Sequence, residues 1–76
     1  TKLSYKDQRD YELLPKRIDE LDAAIAKGEA LLADPDLYTR DPARFAMISK
    51  GIETARAEKD AAEERWLELA EMVEGA

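Results

Sequence analysis

The chain has no cysteine and no histidine. Without cysteine there is no disulfide staple, no thiolate nucleophile and no zinc–thiolate site. Without histidine the usual general base and the commonest transition-metal ligand are missing. Glycine and proline are scarce, three of each among 76 residues, so chain breaks are few and elements long. No apolar run approaches the ~20 residues needed to span a bilayer, and no signal-peptide pattern opens the chain. The first residue is threonine, and the expectation is an excised C-terminal or internal domain of cytoplasmic origin.

What is present is Ala, Leu, Glu, Lys and Arg, with 39% charged residues, a composition that favours long helices over sheet. Seventy-six residues make one small domain, near the lower limit for a self-supporting core. The net charge of −6 argues against a generally nucleic-acid-binding surface. It is unevenly spread, however. Residues 1–17 hold five basic residues against three acidic ones, a local charge of +2, and residues 58–76 hold two against seven, a local charge of −5. The basic end can attract phosphate that the acidic end repels.

Two Asp-Pro steps, Asp34-Pro35 and Asp41-Pro42, stand seven residues apart around Leu37-Tyr38. Aspartate accepts from the orphan N–H groups of a starting helix, and proline at the first helical position has its φ already set. The residue before a proline avoids the α region, so an arriving helix must stop. This stretch is a corner. Before it, Tyr11, Leu14, Ile18, Leu21, Ile25 and Leu32 follow alternating 3-4 spacing, with Gly28 in the skipped place. After it, Phe45, Ile48, Ile52, Ala55, Lys59, Ala62, Trp66, Leu69 and Val73 do the same. Folding at the corner sets Leu32 against Phe45, Ile25 against Ile52, Ile18 against Lys59, Leu14 against Ala62 and Tyr11 against Trp66.

The predicted fold is all-α: an antiparallel two-helix coiled-coil hairpin with a short extra N-terminal helix. Residues 1–14 form a helical lead-in, 15–33 the first arm, 34–41 the tip and 42–74 the second arm. Pro15 costs ~3 kcal/mol inside a continuous helix, and predicts a break or kink between lead-in and arm. Ser4 is the expected N-cap of the lead-in, with Asp7 in its first turn, and Gly75 the end of the second arm. Gly28 allows close approach to Ile48; Gly51, off the seam, has no role in this register. Trp66 and Tyr11 are expected to close the base of the seam, and Phe45 and Tyr38 the tip. Lys59 fixes register, its ammonium reaching Glu63 one turn on or Asp19 across the hairpin.

Three segments carry a resemblance. They are Lys2-Leu3-Ser4-Tyr5-Lys6-Asp7-Gln8-Arg9 followed by Leu14-Pro15, the corner from Asp34 to Phe45, and Glu63-Glu64-Arg65-Trp66-Leu67-Glu68-Leu69. In that order and spacing the chain resembles the C-terminal coiled-coil domain of the ABC-F ATPases, in particular the bacterial Uup type. The resemblance implies a soluble parent with tandem ATPase cassettes upstream, holding ATP and Mg, active on ribosomes and in nucleic-acid transactions. It further implies a C-terminal domain associated with DNA binding. No Walker A pattern occurs in this chain, so no ATPase activity or cofactor is expected of it.

The candidate nucleic-acid contacts are Lys2, Lys6, Arg9, Lys16 and Arg17 at the base, and Arg40 and Arg44 at the tip. Lys2, Arg9 and Lys16 lie seven apart and form one outward stripe on a continuous helix, which Pro15 threatens to break. Arg40 and Arg44 either contact phosphate or pair with Asp36 and Asp41. Tyr5, outside the seam, is the aromatic best placed to stack on a base, unless it docks on the end of the second arm. The carboxylates at the corner do not match a calcium loop, because Tyr38 and Thr39 occupy its third-ligand and glycine places. Two readings stay open: a nucleic-acid-binding arm (DNA or ribosomal RNA), or a structural coiled coil contacting ribosomal proteins, the ATPase cassettes or a second copy of itself. No membrane partner is expected.

Overall fold

The computed structural model describes residues 3–75. They form α1 (Tyr5–Leu32), α2 (Leu37–Arg40) and α3 (Pro42–Glu74). The long helices pack antiparallel as a hairpin measuring 56 × 16 × 15 Å, with α2 in the corner.

Local chemistry sets the helix ends. Ser4 is in extended conformation and its hydroxyl accepts from the Asp7 N–H at 3.1 Å, capping α1. Asp41 does the same for α3, accepting from the Arg44 N–H at 3.1 Å, and Pro42 fills the first turn where a missing N–H costs nothing. The first Asp-Pro step acts differently. Asp34 accepts from the Asp36 N–H at 2.9 Å, closing a side-chain-mediated turn, and only then does the single turn of α2 begin.

Among the described residues there is no separate N-terminal helix. α1 runs unbroken through Pro15, so the lead-in and the first arm are one element, and the short extra helix lies at the tip. Pro15 forfeits one backbone hydrogen bond. Contacts to α3 on both sides hold the axis together: Asp7 with Arg65 and Tyr11 on Trp66 before it, Arg17 with Glu58 after it.

The core is thin. Leu21 and Ile25 of α1, Leu37 of α2, and Ile52, Ala62, Leu69 and Ala70 of α3 are buried. Five of them stand on the predicted seams. Leu69, at 0% exposure, contributes roughly 2 kcal/mol by leaving water. Val73, the last seam position, is exposed, so the seam ends at Leu69. Tyr11 stacks on Trp66 at the base, centroids 5.6 Å apart and planes at 10°. At the tip Tyr38 meets Phe45 edge-on at 5.2 Å but stays 64% exposed. Leu37, 4% exposed, plugs that end instead.

Two side-chain expectations shift by one turn. Lys59 reaches across to Asp22 at 2.6 Å, with Glu63 at 3.9 Å, and not to Asp19. The hydrogen bond to Asp22 holds its ammonium above the usual lysine range. A Cβ at Gly28 would meet Ile52 Cγ1 at 2.7 Å before Ile48 Cγ2 at 3.7 Å, so the close approach is chiefly to Ile52.

Candidate nucleic-acid interface

The continuity of α1 decides the geometry at the base. Because the helix does not break at Pro15, Arg9 and Lys16 lie two turns apart on one outward face, about 10 Å along the axis. Lys6 stands beside them. All three are exposed and have no ion-pair partner among the described residues. Lys2, which would extend the stripe by one heptad, lies outside the described residues.

Tyr5 does not dock on the second arm. It is 81% exposed and lines, with Gln8, Arg9, Glu12 and exposed Leu13, a shallow groove of about 440 Å³ on the outer face of α1. A flat aromatic beside a guanidinium suits stacking on a nucleic-acid base. Glu12 in the same groove opposes it, because its carboxylate repels phosphate.

The structure separates the remaining candidates. Arg17 is committed to α3: its Nε donates to Glu58 Oε2 at 2.7 Å, its terminal nitrogen closes on the same carboxylate, and Glu20 lies at 3.6 Å. The hydrogen bond to Glu58, and then that carboxylate's charge, hold the guanidinium above its ordinary value. Arg40 lies on the surface of the corner, its guanidinium donating to Asp34 at 3.1 Å and pairing with neither the Asp36 nor the Asp41 carboxylate. The backbone N–H of Asp36, and then Arg40, keep the Asp34 carboxyl below the usual carboxylate range. Arg44 has no ion pair among the described residues and lines a groove of about 410 Å³ with Ala30, Leu31, Asp34, Leu37 and Arg40. The seven candidates therefore fall into an unpaired basal set, an unpaired Arg44, two arginines already neutralised within the hairpin, and Lys2. Lys27 and Lys50 are also exposed without ion pairs among the described residues. Sequence reasoning passed over both, and in heptad register each falls on an outward position, a signal that was available.

Nothing in this arrangement supports catalysis. No group of three potential ligands able to hold a metal ion occurs among the described residues, and no helix is long and apolar enough to cross a membrane. The grooves are open to solvent, with no enclosure to drive two carboxylates apart in pKa.

An antiparallel helical hairpin with exposed, unpaired basic residues on the outer face of α1 near its base is a coiled-coil module. The profile of the ABC transporter C-terminal domain matches residues 2–71, and the chain belongs to that family. ATP-binding protein Uup of Caulobacter vibrioides is 53% identical over 73 residues, covering 96% of this chain and 12% of that protein. The Uup protein of Haemophilus influenzae is 38% identical over 77 residues (97% and 12%). That of Escherichia coli is 30% identical over 66 residues (87% and 10%). The resemblance to the Uup type of ABC-F protein thus holds, and the chain spans only 10–12% of the length of these relatives. No solved structure gives a significant match.

Proposed function

We propose that this hairpin is the nucleic-acid-binding arm of a cytoplasmic ABC-F ATPase, with DNA as the principal target and ribosomal RNA as the alternative. ATP and Mg belong to cassettes elsewhere in the parent protein. The observation that carries the reading is the unpaired state of Lys6, Arg9 and Lys16. Carboxylates outnumber basic residues 18 to 12, so an exposed basic triad without partners is not due to a shortage of acids. Tyr5 adds a stacking surface, and Arg44 supplies a separate contact at the tip. Arg17 and Arg40 contribute only if their internal pairs open.

Binding is expected to be weak, independent of sequence and steeply salt-dependent, with a slope of roughly −3 in log K against log salt for three to four phosphate contacts. Charge reversal of Lys6, Arg9 and Lys16 together should abolish binding to duplex DNA in a fluorescence anisotropy titration, with helicity unchanged. Reversal of Arg44 alone measures the share of the tip. Wild-type binding that ignores salt, or survives the basal triple variant, would move the function elsewhere. Exposed Leu67 among the carboxylates Asp60, Glu64, Glu71 and Glu74, which have no ion pair among the described residues, favours a second reading. In it, the outer face of α3 contacts a basic protein such as a ribosomal protein or the cassettes.

A further inference from the structure

The seams are flanked by two rows of residues, and the rows differ. One row directly precedes alternate seam positions: Asp10, Arg17, Ala24 and Leu31 on α1 face Arg65, Glu58, Gly51 and Arg44 on α3, each pair seven residues from the last along both helices. Its basal half is closed by ion pairs. Arg65 reaches Asp10 at 3.7 Å, and Arg17 donates to Glu58 at 2.7 Å. Its tip half has no ion pair among the described residues, only Ala24 opposite Gly51 and then Leu31 beside Arg44 at the corner groove. The row on the far side stays closed over this span, by Arg56 on Glu29 at 3.2 Å and by Lys59 on Asp22 at 2.6 Å.

The open half-flank has an apolar trough, with unpaired basic residues along its length and carboxylates only at its two ends. A Cβ on Gly51 would meet nothing within 4 Å, and Ala24 opposite is exposed. Met47, one turn from Gly51, is 71% exposed, and Leu31 is exposed across from it. The basic residues bordering it, Lys27 (one turn from Ala24 and from Leu31) and Arg44 (in the row itself), have no ion pair among the described residues. At the basal edge Glu20 and Glu58 share the single Arg17, and at the tip Asp34 is paired with Arg40. The span from Arg17–Glu58 to Leu31–Arg44 is fourteen residues on each helix, about 21 Å or four turns.

We propose that this half-flank is a docking groove for a third helix, an acidic amphipathic helix supplied by another protein. Its apolar stripe seats between Leu31 and Met47 over the Ala24–Gly51 trough, and its carboxylates meet Lys27 and Arg44. Charge complementarity selects an acidic partner, and the exposed leucine and methionine select a helix over a phosphate backbone, which has no use for them. Gly51 thereby acquires a role that nothing inside the hairpin gives it.

The test is an NMR titration of the 15N-labelled 76-residue chain with two synthetic helical peptides. Both have Leu at the seam positions of a heptad; one is flanked by Glu and the other by Lys. The Glu peptide should shift amides of residues 24–31 and 44–54, with affinity falling as salt rises, while the Lys peptide leaves them unmoved. Gly51→Leu fills the trough without touching the core, and should weaken binding ~10-fold or more while the Tm does not fall. Met47→Glu should weaken it similarly. Absence of shifts with the Glu peptide overturns the proposal, as does undiminished binding by both variants. Shifts at the same amides with duplex DNA or an RNA hairpin, instead of the Glu peptide, would assign the groove to nucleic acid.

Discussion

Gly28 and Gly51 are chemically identical and structurally opposite. Each costs its helix up to about 1 kcal/mol against alanine. At Gly51 that cost has no return inside the hairpin, since a methyl group would project into open space. At Gly28 the methyl would lie 2.7 Å from Cγ1 of Ile52, a β-branched side chain held in the core at 8% exposure. Overpacking of this kind costs ~1–3 kcal/mol, more than the gain in helix propensity. Gly51→Ala should therefore raise the denaturation midpoint by an amount worth up to ~1 kcal/mol, while Gly28→Ala lowers it. Urea unfolding followed by circular dichroism measures both, and shifts of the same sign would contradict the packing seen at Ile52. The heptad spacing shows that Gly28 sits on the seam and Gly51 does not. It does not show which α3 residue comes closest to Gly28, because that depends on small axial offsets between the helices. Lys59 selects Asp22 over Asp19 because Asp22 lies on the flank of the seam beside Leu21, whereas Asp19 is turned further out on α1.

At the scale of elements, the second arm was readable to its end residues: Asp41 as cap, Pro42 as first helical residue and Glu74 as last. A strong capping step and an unbroken 3-4 pattern pointed to the same boundaries. The first arm was misjudged at Pro15 because local propensity and tertiary packing disagree there. Local rules expect a break; packing of Tyr11 on Trp66 and of Asp7 on Arg65 rewards continuity. The tip was misjudged differently. Leu37 and Tyr38 are adjacent, and composition favours the larger aromatic as the plug, yet the turn at Asp34 aims the leucine inward. At the candidate interface, residue type identified the basic positions, but which of them are free depended on Glu58 and Asp34, contacts that no linear pattern shows. The Pro15 conflict is measurable. Pro15 is exposed, so Pro15→Ala removes no core contact and restores a backbone donor toward Tyr11. The variant should be more stable by ~1–3 kcal/mol, with a small gain in helical ellipticity. Lower stability would mean that the proline bends α1 along a path its packing requires.

The whole molecule is a lever with very little interior. Its radius of gyration is 16.9 Å over 76 residues, whereas a compact domain of that length would have about 11 Å. Few residues are buried, so the long seam is held by repetition along its length, with ion pairs on the flanks that are individually worth ~0–1 kcal/mol. The shape depends on one short segment. If the corner were to become helical, α1 and α3 would merge into a single helix of ~70 residues, about 105 Å long and with a radius of gyration of roughly 30 Å. Three contacts oppose this: the Asp34 turn with its arginine clasp, the buried Leu37, and the Asp41 cap that starts α3. A non-helical Asp41, with φ −151° and ψ 77°, also commits the chain to reverse. Small-angle X-ray scattering of the isolated chain should thus give a radius of gyration near 17 Å that does not change with concentration. A value near 11 Å would mean that the arms collapse into a globule. A value approaching 30 Å would mean that the corner straightens, and with it the pairing of Ala24 with Gly51 and the placing of Arg44 at the tip would both be lost.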